Sequence, residues 1–194
     1  MRIGVLAVQG DVREHAAMLR RLGAEVVEVR KPEHLRGLDG LVVPGGESTT
    51  ITRLMQLYGL WDELRSFERP LFGTCAGMIV LARDAVDAAS GQEFLGRADV
   101  VVRRNAFGRQ TASFEADFEL QGETRPLHGV FIRAPTVSEV GPGAEVLARD
   151  PDGSPVAVRQ GRVLATAFHP ELTGDRRLHR LLVEMIGRGA ETSV

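Results

Sequence analysis

The tightest constraint on this chain is one turn, Phe72-Gly73-Thr74-Cys75-Ala76-Gly77-Met78. It holds the only cysteine of the 194 residues, between the apolar run Pro70-Leu71-Phe72 and the helix-compatible run Met78-Ile79-Val80-Leu81-Ala82. Glycines two residues before and two residues after the sulfur suit a sharp strand-to-helix elbow, the thiol counterpart of the serine elbow. A chain with such an elbow needs a strand that ends at the cysteine and a helix that begins there. A lone cysteine is usually a small buried hydrophobe kept for packing, so the rest of the chain has to decide.

The first half supplies the matching architecture. Ile3 to Val8 is nearly all apolar, as a strand covered on both faces of a parallel sheet must be. Asp11 can cap a helix with Val12, Ala16, Leu19 and Leu22 on one stripe, ended by Gly23. Glu25–Val29 and Gly40–Val43 read as strands, with Lys31-Pro32 turning the chain between them. After Pro44-Gly45-Gly46, Ser48 or Thr49 can open a helix with Ile51, Leu54, Met55 and Tyr58 on its core face. A helical piece from Trp61 to Phe67 then leads into the strand before Cys75. Strand–helix repetition of this kind predicts a doubly wound, mainly parallel α/β sheet with helices on both faces, flavodoxin-like in outline.

The second half changes character. Phe114, Ala116, Phe118 and Leu120 alternate with polar residues, and Val130–Ile132 is another short strand. Turn signals at 151–154 and 160–161 separate Glu145–Ala148, Val156–Arg159 and Val163–Phe168, predicting antiparallel hairpins added to the parallel core. Leu178, Leu181, Leu182 and Met185 mark a last helix. One domain over 1–194 is expected, with 187–194 as a frayed tail. The net charge of −2 and the lack of a dense basic block argue against nucleic acid as a partner. No apolar run is long enough for a membrane helix, and one cysteine cannot form an internal disulfide, which points to a reducing, cytoplasmic setting.

A catalytic thiol needs a base, and the base needs an orienting group. His15 and His34 fall on a polar helix and in a loop, where they read as solvated side chains, and the spacing of His128 and His179 suggests no partner. His169 differs, because it follows an apolar strand directly and is followed by Pro170 and Glu171. Sites in open parallel sheets gather beyond the carboxyl ends of strands, and Cys75 and His169 both stand there. Glu171 is near enough to accept a hydrogen bond from the imidazole and fix its tautomer. Without Cys75, however, His169-Pro170-Glu171 would be an ordinary polar turn. A helix starting at Ala76 offers free N–H groups that favour a thiolate. The Ala76 N–H is one candidate oxyanion donor, and the Pro44-Gly45-Gly46-Glu47-Ser48 loop can supply the other. The same loop reads only weakly as a phosphate cradle, since it has neither a P-loop lysine nor a G-x-G-x-x-G pattern.

Gly73-Thr74-Cys75-Ala76-Gly77 together with His169-Pro170-Glu171 resembles the class I, or triad, glutamine amidotransferases. Further stretches narrow the likeness: Leu6-Ala7-Val8-Gln9-Gly10, Gly45-Gly46-Glu47-Ser48-Thr49-Thr50, Arg104-Asn105-Ala106-Phe107-Gly108-Arg109-Gln110 and Phe131-Ile132-Arg133-Ala134-Pro135. With His169-Pro170-Glu171-Leu172-Thr173 they resemble the PdxT/SNO family, the glutaminase subunits of pyridoxal 5′-phosphate synthase, from Met1 to about Ile186. The resemblance implies that Cys75 attacks the side-chain amide of L-glutamine, forming a glutamyl thioester and freeing ammonia, while His169 relays protons and Glu171 orients it. It implies a glutamine site lined by Gly46, Glu47, Ser48, Arg104, Ile132 and Arg133, with a cation for the α-carboxylate, and a share for Gln9 in the oxyanion site. It implies no cofactor and no metal. The ammonia is expected to pass to a synthase (PdxS-type lyase) subunit that builds pyridoxal 5′-phosphate from a pentose phosphate and a triose phosphate. That partner is expected to form a ring carrying one glutaminase per synthase subunit and to activate the glutaminase. A thiol peptidase on a related scaffold, or a binding subunit with a structural cysteine, are the competing readings.

Overall fold

The computed structural model describes residues 1–104 and 113–191. Residues 105–112, most of the Arg104–Gln110 motif, lie outside the described residues. In chain order the first half runs β1 (Arg2–Leu6), α1 (Val12–Arg21), β2 (Glu25–Val29), β3 (Gly40–Val43), α2 (Ser48–Leu57), α3 (Trp61–Arg65), β4 (Leu71–Thr74) and α4 (Ala76–Leu81). The second half adds β5 (Ala82–Ala85), β6 (Ala98–Arg103), β7 (Ser113–Phe118), β8 (Leu127–Ile132), β9 (Thr136–Val140), β10 (Glu145–Arg149), β11 (Pro155–Gln160), β12 (Val163–Thr166) and α5 (Arg177–Glu191).

The main sheet has seven strands in the order β10-β11-β12-β4-β3-β1-β2. From β12 to β2 all neighbours are parallel, and β10 and β11 join antiparallel at one edge. The fold is therefore a largely parallel α/β sheet with antiparallel additions. Helices cover both faces. On β4, Phe72 and Thr74 point to the side where α1 and α5 bring His15 and His179. Gly73 points to the opposite side, against Gly77 and Leu81 of α4. One continuous cluster of buried apolar residues draws on both halves, including Leu41, Phe72, Phe131, Leu164 and Leu182.

Several expectations need correction. A separate three-stranded sheet, β5-β6-β9, escapes the sequence pattern because its strands are short, bulged and edged with charge, as in Ala82-Arg83-Asp84-Ala85. Tyr58, expected on the core face of α2, is 47% exposed, because α2 ends at Leu57 and Tyr58 only caps it. The tail does not fray at Gly187. Instead α5 continues to Glu191, anchored by the buried stripe Leu178, Leu182 and Ile186, although Gly187 and Gly189 each cost roughly 1 kcal/mol in a helix. Asp11 sits at the head of α1 but makes no capping hydrogen bond with its side chain. Finally, His15 is fully buried rather than solvated, and His179, whose spacing suggests no partner, is fully buried beside it. Among the described residues no helix is long and apolar enough to cross a membrane.

Candidate active site

Cys75 stands between β4 and α4 with φ 49° and ψ −106°, a backbone region that non-glycine residues rarely occupy. Its amide is tied to the Thr166 carbonyl at 2.8 Å, which anchors the elbow to the end of β12. The two flanking glycines are steric requirements. A Cβ on Gly73 would lie 2.7 Å from the Gly77 carbonyl carbon and oxygen, and one on Gly77 would collide with the Val43 carbonyl. Only hydrogen at both positions lets α4 fold back so closely onto β3 and β4.

The next turn at the same end of the sheet carries His169; β12 stops at Thr166 rather than at the expected Phe168, so a bend at Ala167-Phe168 separates His169 from the strand. The His169 backbone N–H donates to the Val130 carbonyl of β8 at 2.9 Å. The β7–β8 hairpin is in turn fixed by an aromatic cluster. Phe114 stacks on Phe131 with ring centroids 4.4 Å apart, and Phe118 and Phe131 both pack on Phe168. The hairpin thus walls the site, with the Ile132 carbonyl 3.7 Å from the Cys75 sulfur as acceptor for its S–H. Cys75, His169 and Glu171 are all buried.

The His169 Nδ1–H donates to Glu171 Oε1 at 2.7 Å, and Asp11 Oδ2 lies 3.3 Å from the same nitrogen. Burial opposes a charge on His169, but hydrogen bonds with Asp11, the Cys75 sulfur and Glu171 outweigh it and raise its pKa to about 12. Glu171 is raised chiefly by burial, with His169 pulling the other way, while Asp11 is lowered by its hydrogen bond to His169. The two carboxylates and the imidazole titrate as a coupled group, and the proton resides on the imidazole. Asp11, His169 and Glu171 also place donor atoms within 4.8 Å of one another.

The remaining predicted residues fall into two groups. Gly46 (φ 145°) lies on the loop after β3, so close to the Gln9 amide that a Cβ would strike it. Gln9 Oε1 accepts the Glu47 N–H at 2.9 Å, while Gly45 lies against the His169 ring. Glu47 caps α2, accepting from the Thr49 and Thr50 amides at 3.0 and 2.7 Å. It also accepts from Arg104 Nη2 at 3.2 Å. Arg104 Nη1 donates to Gln92 Oε1 at 2.7 Å, and Gln92 Nε2 donates to the buried Ser48 hydroxyl at 3.2 Å. Gly46, Glu47, Ser48 and Arg104 are thereby gathered on one side. Ile132 and Arg133 stand on the hairpin side, Arg133 exposed and at φ 45°. Sequence reasoning missed Gln92, the second carboxylate at Asp11, and His15 behind Glu171. Only Asp11 carried a local signal, its place directly after Gln9-Gly10, and that reads first as a helix cap.

Arranged this way, a sulfur at a strained elbow, a protonated imidazole and a buried carboxylate form the constellation of thiol-dependent acyl transfer. The family model described as the SNO glutamine amidotransferase family matches residues 5–188. The pyridoxal 5′-phosphate synthase subunit PdxT of Acidothermus cellulolyticus is 58% identical over 197 residues, covering 97% of this chain and 95% of that protein. The protein of the same name from Streptomyces coelicolor is 58% identical over 188 residues, 95% of this chain and 93% of its own. A solved structure described as a glutamine amidotransferase superposes with a TM-score of 0.89 at 56% identity, covering 95% of this chain and 98% of that one. PurLQS from Thermotoga maritima, at 12% identity and a TM-score of 0.67, shares the fold alone.

Proposed function

Because the chain belongs to the SNO glutamine amidotransferase family, we propose that it acts as the glutaminase subunit of a pyridoxal 5′-phosphate synthase. It hydrolyses L-glutamine to L-glutamate and ammonia, as a single domain. The observation that carries this reading is the 2.7 Å hydrogen bond between His169 and Glu171, buried with Cys75 at the carboxyl ends of β4 and β12, where the sulfur helps to raise the His169 pKa. In the proposed reaction the imidazolium beside the sulfur favours the thiolate. The sulfur attacks the amide carbon of glutamine, and the His169 proton passes to the departing nitrogen, which leaves as ammonia. Water then attacks the glutamyl thioester, with the now neutral His169 taking its proton and returning it to the sulfur. Glu171 keeps Nδ1 protonated and Nε2 directed at the sulfur.

Glu47, Ser48 and Gly46 line the glutamine site, with Arg104, Ile132 and Arg133 completing it. The α-carboxylate of glutamine is the natural partner for a guanidinium. Arg133, exposed and next to the carbonyl that faces the sulfur, is the freer of the two cations, since Arg104 is already engaged by Glu47 and Gln92. The ammonia goes to a synthase subunit that makes pyridoxal 5′-phosphate from a pentose phosphate and a triose phosphate. That partner forms a ring with one glutaminase on each synthase subunit, and the complex works in the cytoplasm.

The test is glutamate release from L-glutamine by this chain mixed with a PdxS-type synthase subunit. Wild-type complex is expected to release glutamate, and Cys75→Ala is expected to assemble equally well yet release none. Cleavage of peptides with indifference to glutamine, or full turnover by Cys75→Ala, would overturn the reading.

A further inference from the structure

Behind Glu171 the structure contains a second layer of chemistry that the reaction as described does not use. His15, in the middle of α1, is completely buried. Its Nε2 lies 3.4 Å from Glu171 Oε2 and 3.1 Å from Thr74 Oγ1, while its Nδ1 lies 2.9 Å from Nε2 of His179, which is equally buried on α5. Both rings meet the edge of Phe72 or of each other, so neither has water to turn towards. Each polar atom there must therefore be matched from within.

Matching the atoms selects one arrangement of hydrogens. Glu171 gives Oε1 to His169, and no formed hydrogen bond reaches its Oε2. If His15 carried its hydrogen on Nδ1, the bare Nε2 lone pair would face that buried carboxylate oxygen, and His179 would be left with a buried N–H donating to nothing. With the hydrogen on Nε2, His15 presents a donor to Glu171 Oε2 and Thr74. His179 then donates from Nε2 to His15 Nδ1, and what stays unmatched here is acceptors alone, the His179 Nδ1 lone pair and Glu171 Oε2, which the Nε2–H approaches at 3.4 Å. An orphan acceptor is the milder defect. Burial holds both rings neutral, since the pKa values of His15 and His179 are lowered, chiefly by desolvation. A neutral donor suits this place, because a charged one would draw the carboxylate away from His169.

We propose that His15, with its tautomer set by His179, is a positioning residue that holds the Glu171 carboxylate on His169. The inference rests on the triad reading above. At 3.4 Å the His15–Glu171 contact is longer than a full hydrogen bond, as is common before substrate tightens a site. A carboxylate free to rotate about its terminal bond would offer His169 a poorer acceptor and leave the imidazole able to swing off the sulfur. His15 closes off that rotation from the side His169 does not occupy.

The decisive variants are His15→Gln and His15→Asn, measured as glutamate release by the complex with the synthase subunit, over a range of glutamine concentrations and pH. Both are polar and of moderate size, but only glutamine extends its amide to the place of Nε2. His15→Gln is expected to keep kcat within about threefold. His15→Asn is expected to lose roughly tenfold in kcat with KM nearly unchanged, a part of the ~10²–10⁴-fold that a placed acid–base group supplies. In a Glu171→Gln background the loss from His15→Asn should shrink to less than about twofold, because the two act through one element. Equal activity of His15→Asn and wild type would overturn the inference, as would an undiminished loss in the Glu171→Gln background. If His15→Asn fails to fold, His179→Leu replaces it, since it leaves His15 in place but frees its tautomer. It must then show the same kcat loss and the same dependence on Glu171. A wild-type complex that releases no glutamate would overturn the glutaminase reading itself.

Discussion

The buried histidine pair makes stability depend on pH in a way that can be computed for His179. Burial lowers its pKa to about 4, against about 6.5 in an unfolded chain. Between those values the unfolded chain binds a proton that the folded protein refuses, so stability falls as pH falls. The slope approaches 1.4 kcal/mol per pH unit, roughly, and from pH 7 to pH 5 the loss is about 2 kcal/mol. His15 pushes in the same direction. His169 works the other way between pH 7 and about 6, because its raised pKa keeps it protonated in the fold while the unfolded chain gives up its proton there. Glu171 is also raised and works the other way near pH 5. The clean measurement is therefore a difference. Urea unfolding of wild type and His179→Gln at pH 7 and pH 5 keeps every other group common to both, and glutamine preserves an amide N–H for His15. The wild-type midpoint should fall by about 1 M more than that of His179→Gln between the two pH values, taking an m-value of about 2 kcal/mol/M. Parallel pH dependences in the two proteins would refute the claim that His179 is held neutral by its burial.

Two other perturbations address the elbow and the second carboxylate. Gly73→Ala places a Cβ 2.7 Å from backbone atoms of Gly77 and 2.7 Å from Leu81 Cδ1. It should cost about 1–3 kcal/mol, lowering Tm by roughly 2–4 °C per kcal/mol. By displacing Cys75 a few tenths of an ångström it should also cut kcat of the complex roughly tenfold, and an unchanged Tm and rate would show that the elbow is not tightly packed. Asp11→Asn removes one of the contacts that raise the His169 pKa. The alkaline limb of the pH–rate profile should therefore move to lower pH, and an unmoved limb would mean that Asp11 does not act on the imidazole.

The features legible in the sequence are those whose cause is local. The apolar run Gly40–Val43 lies within the sheet with the expected bounds, because a strand between two neighbours needs little beyond apolar side chains, and Glu25–Val29 keeps its expected bounds as the edge strand, its two glutamates alternating with valines. The glycines around Cys75 announce the elbow because the steric demand sits within two residues of the sulfur. His169 and Glu171 are two residues apart, so their contact needs only a tight turn. His15 was illegible because its environment comes from α5, 164 residues further on. On a helical wheel it counts as polar, whereas in the fold it is core. Asp11 misleads for a related reason: an aspartate before a helix reads as a cap, and nothing local reveals that an imidazole from beyond β12 will claim its carboxylate. Gln92 and Arg104 meet across β6, a strand that the sequence reading does not place.

The strand order has a consequence for how the molecule is made. β12 lies between β4 and β11, so the strand leading to Cys75 has β3 on one side and, until Val163–Thr166 is synthesised, an open edge on the other. At ordinary ribosomal speeds that gap lasts on the order of 5–20 s. During it, an apolar strand end and the Cys75 thiol are exposed to the crowded interior of the cell. The Cys75 amide has no Thr166 carbonyl to hold it, and the imidazole that would pair with the sulfur has yet to emerge. The partial chain is thus chemically inert towards glutamine yet prone to edge-to-edge sticking. The docking of a single four-residue strand closes the edge, pins the elbow and delivers the base in one event.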